Sequence, residues 1–200
     1  MIDFNEDYIL ENNIVCLSPL RLEDIEKLNH FSINEPDLWT YSLLQANTPE
    51  KMEMYIKNAI EGRKNEHSYP FLVFDKRSNE VAGSTRFYDI QIEHATLQLG
   101  YTWYGKKFQN TGLNKNCKYL LLAFAFETLG IERVEFRADN ENNRSINAMK
   151  SIGCKVEGIL RSNTYKANGE RRDSIILSIL KHEWFNSVKE SLKNKCSINY

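Results

Sequence analysis

The segment richest in chemistry is Lys106-Lys107-Phe108-Gln109-Asn110-Thr111-Gly112-Leu113. It joins a strand-like stretch to a helix-like one within residues 99–129. A helix start presents unpaired N–H groups and about half a positive charge, which suits a phosphate. Gly112 would let a ligand approach the backbone closely. Lys106 and Lys107 precede the helix, and Lys115 and Lys118 fall in its first turns. Four cations are therefore expected around one anion-binding turn. The plainer alternative, a simple turn beside a solvated lysine face, stays open. Neither G-x-x-x-x-G-K-[ST] nor G-x-G-x-x-G occurs, so a P-loop or a Rossmann dinucleotide site has no support.

Patterning around this segment gives the elements that must position it. Residues 14–18 read as a strand ending at Pro19, followed by a helix carrying Leu20, Leu22, Ile25, Leu28 and Phe31. Residues 32–46 have no clear period and read as a packed loop. Thr48-Pro49-Glu50 has the form of an N-cap, with Met52, Tyr55, Ile56, Ala59 and Ile60 as the stripe of that helix. Three strands follow, over 69–74, 80–90 and 93–103, with a turn at 76–79. After the polar loop, Leu113, Cys117, Leu120, Leu121, Phe124 and Thr128 share one helix face that ends at Gly130. A strand at 133–138, a helix at 143–152 and two strands at 154–165 and 171–180 around Asn168-Gly169 complete the pattern. Trp184, Phe185, Val188 and Leu192 suggest a closing helix. The order β-α-α-β-β-β-α-β-α-β-β-α predicts an α/β (or α+β) sandwich.

Composition narrows the function. Twenty-six Lys+Arg against 27 Asp+Glu leave a formal charge of -1, which offers no general field for a nucleic-acid backbone. Cys16, Cys117, Cys154 and Cys196 form no C-x-x-C pair, so free thiols are expected, with no zinc knuckle, metal site or dithiol redox motif. Asp3, Glu6, Asp7 and Glu11 precede the first basic residue, Arg21, so no positive n-region opens the chain. The longest apolar run, 119–126, is far below the ~18 residues that span a bilayer. The expectation is a soluble cytoplasmic protein with no membrane or nucleic-acid partner. No linker divides it, so one domain is expected over 1–200, with 1–12 loosely ordered and 182–200 forming a C-terminal helix and tail.

The loop at 109–114 resembles the acetyl-CoA pyrophosphate loop of the GNAT N-acetyltransferase superfamily, [Arg/Gln]-x-x-Gly-x-[Gly/Ala]. Gln109 and Gly112 match, and Asn114 replaces the last small residue. Tyr101-Thr102-Trp103-Tyr104, Thr111-Gly112-Leu113-Asn114 and Lys118 look like the branch near the ribosomal-protein N-terminal acetyltransferases. Asn142-Asn143-Arg144-Ser145 resembles its Asn-x-x-Ser signature. Lys150-Ser151-Ile152-Gly153 and Glu157-Gly158-Ile159-Leu160-Arg161 resemble its Lys-x-x-Gly and Glu-Gly-x-x-Arg motifs. The resemblance runs over about residues 14–190.

This resemblance implies the GNAT fold: a single mixed central sheet of about seven strands, with helices on both faces. A splayed strand pair, 97–103 and 133–138, would bind the cofactor. It implies acetyl-CoA as co-substrate. Backbone groups of Tyr101, Thr102 and Trp103 would hold the pantetheine and polarise the thioester. Amides of Gln109, Asn110, Thr111, Gly112, Leu113 and Asn114 would cradle the pyrophosphate. Asn142 would contact the cofactor near its thiol end. Ser145 would stand near the leaving thiolate, or would only cap and pack its helix. Relatives often place a Glu base where this chain has Gln98, which takes no proton. Glu93, His94, Glu35, Asp37 and a water relay remain open as bases.

The acceptor implied is a primary amine, a protein N-terminus by analogy with that branch. Trp39, Tyr41, Phe87, Tyr88, Trp103 and Tyr165 could line its groove. Two alternatives stand: a small-molecule (antibiotic or polyamine) acetyltransferase, favoured by an acidic pocket, and a non-catalytic CoA- or peptide-binding module, favoured by Gln98. A homodimer is compatible with the resemblance.

Overall fold

A computed structural model describes residues 2–197. Eight strands form one mixed sheet in the order β1-β2-β3-β4-β5-β6-β8-β7. They are β1 Leu10–Glu11, β2 Val15–Pro19, β3 Ser68–Asp75, β4 Glu80–Gln91, β5 Thr96–Tyr104, β6 Arg133–Asp139, β7 Lys155–Tyr165 and β8 Arg171–Leu180. Every neighbouring pair is antiparallel except β5 and β6, which are parallel. The helices are α1 Asp24–Asn34, α2 Pro49–Lys64, α3 Leu113–Ala123, α4 Asn143–Ser151, α5 Lys181–Glu183 and α6 Lys189–Ser197. Helix α3 continues as a π turn, Phe124–Thr128, and a second π turn, Trp184–Val188, joins α5 to α6.

Local chemistry accounts for the boundaries. Thr48 caps α2 by accepting from the Lys51 N–H at 3.3 Å, with Pro49 at the first helical position. The apolar stripe Met52, Tyr55, Ile56 and Ala59 is buried, and α2 packs on α1 and β3. Leu113, Cys117 and Leu121 of α3 are fully buried in the same core.

The structure corrects four expectations. An eighth strand exists because Leu10–Glu11 pairs with β2. The opening residues are tied down: Ile2 and Phe4 are buried, Tyr69 Oη bonds the Tyr8 N–H and the Glu6 carbonyl, and Arg63 Nε donates to the Phe4 carbonyl at 2.7 Å. The stretch 32–46 begins as the end of α1 and then makes a 3-10 turn, Pro36–Trp39. Trp39 and Ala46 are buried there, while Tyr41, Leu43 and Leu44 are exposed, so only part of it packs. Strand β5 starts at Thr96, because Ile92–His94 form a 3-10 turn closed by Ala95 in the left-handed region. The expected tail at 198–200 lies outside the described residues.

One close approach fixes β5 against β4. A methyl group on Gly83 would lie 2.1 Å from the Trp103 carbonyl oxygen. Gly83→Ala must therefore push the two strands apart, and we expect it to cost about 3 kcal/mol by overpacking. Urea unfolding measures this; a midpoint equal to wild type would show that the approach places no limit on β5.

Candidate active site

The parallel pairing of β5 and β6 is brief. Thr96, Leu97 and Gln98 face Arg133, Val134 and Glu135, and there the pairing stops. Beyond it, β5 carries a bulge. Gly100 lies opposite Arg86 and Trp103 opposite Ser84, so Tyr101 and Thr102 share the space of Thr85. Tyr101 takes a left-handed φ of 49° to do so. A bulge bends its strand, and β5 leaves β6. A cavity of about 1120 Å³ fills the opening, with Gln98 at its apex and Gln109 and Asn110 near its mouth.

At that mouth the chain turns into α3 through Gly112, whose φ of 81° suits glycine. The first helical N–H to bond back is that of Asn116, to the Gly112 carbonyl at 3.2 Å. The N–H groups of Leu113, Asn114 and Lys115 thus begin the helix without intrahelical acceptors. Gln109 and Asn110 line the cavity beside them. Leu113 is fully buried, so it can offer only its main chain. The Thr111 hydroxyl donates to the Phe108 carbonyl at 2.7 Å, and the Thr111 carbonyl accepts from Arg77 at 3.0 Å. Asn114 turns its side chain inward, accepting from Tyr104 Oη at 3.2 Å, which explains how a non-small residue fits there.

The expected cluster of four lysines is not formed. Lys107 pairs with Glu80, and Lys106 Nζ lies 3.8 Å from Asp37. Lys118 is buried and points away from the loop, to Thr102. The cations that contact the loop are instead two arginines: Arg77, which also pairs with Asp75, holds Thr111, and Arg144 of α4 donates to Gln109 Oε1 at 2.7 Å, while Gln109 Nε2 holds the Tyr104 carbonyl at 2.9 Å. A lysine three residues on in a helix lies on the same stripe but not necessarily on the ligand's side, and Lys118 follows Cys117 into the protein.

The cavity floor is polar. Lys118 Nζ donates to Thr102 Oγ1 at 2.8 Å, and the Thr102 and Thr85 hydroxyls are 2.7 Å apart. The same ammonium stands 5.8 Å from the Phe136 ring centre, so it occupies the wedge between β5 and β6. No carboxylate lies within salt-bridge reach of it among the described residues, and burial pushes its pKa down to about 8. Trp103 packs on Phe31 and Trp39, and its indole N–H is buried without a partner. The Tyr101 carbonyl accepts from Tyr55 Oη at 3.1 Å, and the Arg86 guanidinium sits over both of those rings.

On the β6 side, Asn142 caps α4. Its Oδ1 accepts from the Ser145 N–H at 3.1 Å, so Asn142 spends its oxygen orienting the helix. Ser145 lines the cavity. Of the expected bases, Glu93 and His94 sit in the 3-10 turn and Glu35 accepts from the Lys106 N–H at 2.6 Å, whereas Asp37 lies at the cavity rim. Trp39, Tyr41, Tyr88 and Trp103 do line the cavity; Phe87 belongs to the core and Tyr165 is exposed elsewhere. Sequence reasoning missed Asp89, whose Oδ2 accepts from Gln98 Nε2 at 2.6 Å at the cavity apex. Nothing in the sequence set the register that brings Asp89 beside Gln98.

The arrangement can hold an anion at the start of α3, an extended arm in the splay, and a second molecule beyond the apex. Comparison with known proteins gives that capacity a name. Residues 15–155 match the family described as the acetyltransferase (GNAT) domain. The chain belongs to the GNAT acetyltransferase family.

It is therefore an acetyl-CoA-dependent N-acetyltransferase, acting on an amine. A GCN5-related N-acetyltransferase from Brucella melitensis superposes with a TM-score of 0.86 at 26% identity, covering 94% of this chain and 85% of that one. YdaF of Bacillus subtilis strain 168, provisionally named a ribosomal N-acetyltransferase, is 25% identical over 86% of this chain and 94% of its own length. The spermidine N(1)-acetyltransferase of Escherichia coli strain K12 is 23% identical over 85% of this chain and 88% of its own. GNAT relatives thus include names for two unlike acceptors.

The buried lysine of this GNAT chain gives a signed prediction. Its pKa falls from 10.5 to about 8 on folding, so the folded state pays for the charge. At ~1.4 kcal/mol per unit that is about 3 kcal/mol, partly offset by a hydrogen bond of about 1 kcal/mol. The cost is full below pH 8 and fades as pH rises toward 10.5. Lys118→Met should then be about 2 kcal/mol more stable than wild type at pH 7, with the gap closing by pH 10.5. Paired urea titrations at pH 7, 9 and 10.5 read this; a variant less stable at pH 7 would refute it.

Proposed function

We propose that this enzyme acetylates the N-terminal amine of a peptide or protein. The observation that carries the reading is the charge balance of the cavity. Asp139 pairs with Arg172 at 3.8 Å, Glu141 with Lys166 at 2.5 Å, and Asp37 lies 3.8 Å from Lys106. Among the described residues, Asp89 alone of the cavity carboxylates meets no cation, only the amides of Gln98 and Gln91. One uncompensated negative charge suits one ammonium group. A polyamine, with several, needs several. The exposed Tyr41, Leu43 and Leu44 at the rim offer apolar contact to the residues behind an N-terminus.

In this reading the open amides at Asn110, Thr111, Gly112, Leu113 and Asn114, with Arg144, hold the pyrophosphate, whereas the Gln109 N–H is spent on the Lys106 carbonyl at 3.2 Å and Gln109 serves by positioning Arg144. The main chain of Tyr101, Thr102 and Trp103, on the side of β5 that β6 has left, holds the pantetheine arm. The buried, unpartnered Trp103 indole N–H fits that slot as a group awaiting a polar ligand. Acetyl-CoA supplies the acetyl group as a thioester. Asn142 fixes the start of α4 so that the Ser145 hydroxyl faces the cavity, where it donates a hydrogen bond to the departing sulfur.

Three outcomes test this. Acetyl-CoA at ~100 times its Kd should raise the Tm by roughly 5–10 °C, and Gly112→Asp, which crowds the loop with a like charge, should abolish that shift while its left-handed backbone lowers the Tm by only a few degrees. An unaltered shift would remove the pyrophosphate assignment. Ser145→Ala should lower kcat about tenfold or more with KM for acetyl-CoA unchanged; wild-type kcat would leave Ser145 a packing role. Peptides beginning with Ser or Ala should exceed spermidine in kcat/KM by at least ~10-fold, and the reverse order would replace the peptide reading with the polyamine one.

A further inference from the structure

At the apex of the splay two unlike side chains are joined. Gln98 is 6% exposed, and it is the last residue of β5 that pairs with β6, opposite Glu135. Its Nε2 donates to Asp89 Oδ2 at 2.6 Å, which leaves its Oε1 buried with no partner. Asp89 comes from the neighbouring strand. Between Tyr88 and Gln91 the β4–β5 register shifts, and Asp89 takes a φ of 47° there. A left-handed residue at a bulge re-aims its side chain, and this one is aimed into the cavity. Gln91 Nε2 braces the other carboxylate oxygen at 2.8 Å. Two acceptor atoms, a carboxylate and an amide oxygen, thus stand together where β5 and β6 part.

We infer that Asp89 is the proton-accepting residue of the reaction and that Gln98 holds it in place while its own Oε1 accepts from the same amine. The inference rests on the acetyl-transfer reading and is independent of whether the amine belongs to a peptide. An acceptor arrives as an ammonium ion. Asp89 takes one proton and becomes the carboxylic acid, and the nitrogen lone pair is freed. Nitrogen then bonds to the thioester carbonyl carbon, the C–S bond breaks, and its electron pair leaves on sulfur. The second proton shed by nitrogen passes to that sulfur, giving the free thiol and the acetamide. Asp89, which is solvent-exposed in the absence of an acceptor, returns its proton to water once the product has left. Gln98 cannot do this, but as a donor it fixes the carboxylate that can.

The charged and titratable groups around the pair are few. Tyr88 on its own strand is held protonated by burial. Glu135 of β6 pairs with Arg137 at 2.7 Å and with Arg133 at 3.1 Å, Arg133 pairs in turn with Glu157, and Arg172 of β8 is engaged with Asp139.

The test uses the full chain with acetyl-CoA, a Ser-initiated peptide, spermidine and tyramine, reading CoA release against pH and acetyl-CoA binding by thermal shift. Asp89→Asn should lose about 10²–10⁴-fold in kcat/KM for the amine, lose the acidic limb of the pH profile, and keep the acetyl-CoA shift. Adding Gln98→Glu to Asp89→Asn should restore at least a tenth of the lost rate, because it returns a carboxylate to the same apex. Retention by Asp89→Asn of wild-type rate and pH profile would overturn this inference alone. Absence of transfer by the wild type to every amine in the panel would overturn it together with the acetyl-transfer reading.

Discussion

Everything in this site depends on β5 ceasing to pair with β6 after three residues. A parallel ladder that continued would satisfy the backbone and close the sheet, and there would be no slot. The bulge at Tyr101 and Thr102 prevents that, at the cost of one left-handed tyrosine. The strain is held from both sides. Gly83 admits the Trp103 carbonyl on one flank, and the Tyr55 hydroxyl engages the Tyr101 carbonyl on the other. The Arg86 guanidinium, in contact with the rings of both Tyr55 and Tyr101, then binds that flank to α2. A gap between strands is unstable unless its walls are this well determined.

The same gap explains why a lysine is buried without an acid. Lys118 stands in the wedge between Thr102 and the Phe136 ring, where an apolar side chain would fill the space at less cost. Its ammonium is partly repaid by Thr102, which shares a hydrogen bond with Thr85. The four cysteines are free. Cys117 and Cys154 beside the lysine are held as neutral thiols by burial, so neither compensates its charge. The interior of this slot is therefore tuned by solvation more than by ion pairing.

Much of this was legible in the sequence, and the reasons are specific. Element order came from hydrophobic period and turn chemistry, which are local: Thr48-Pro49 at α2 and the Asn168-Gly169 hairpin behaved as their types require. The loop around Gly112 was legible because a helix start beside a left-handed glycine is a short-range signature. What the sequence hid is the direction of side chains after packing. Four lysines near one turn looked like one cluster, yet two found surface carboxylates and one turned inward. The cations that did reach the loop come from far along the chain: Arg77 is 34 positions from Thr111 and Arg144 is 35 from Gln109, and the fold alone brings them there. The opening residues looked polar and loose, but Arg63 and Tyr69, far along the chain, hold them down.

Gln98 shows why a missing residue in a motif is weak evidence against an activity. A sheet places residues of neighbouring strands side by side, so the position of a functional group in space is shared by several positions in sequence. Here Gln98 pairs across the ladder with Tyr88, and the register shift that follows carries the next residue, Asp89, around to the same cavity. The negative charge expected on β5 is present on β4, 2.6 Å away through a hydrogen bond. Read along the chain, the change to glutamine removes a carboxylate. Read across the sheet, it converts a like-charge repulsion into a donor–acceptor contact, because a Glu at 98 would face the Asp89 carboxylate at that distance. The glutamine is thus the residue that a carboxylate at 89 requires.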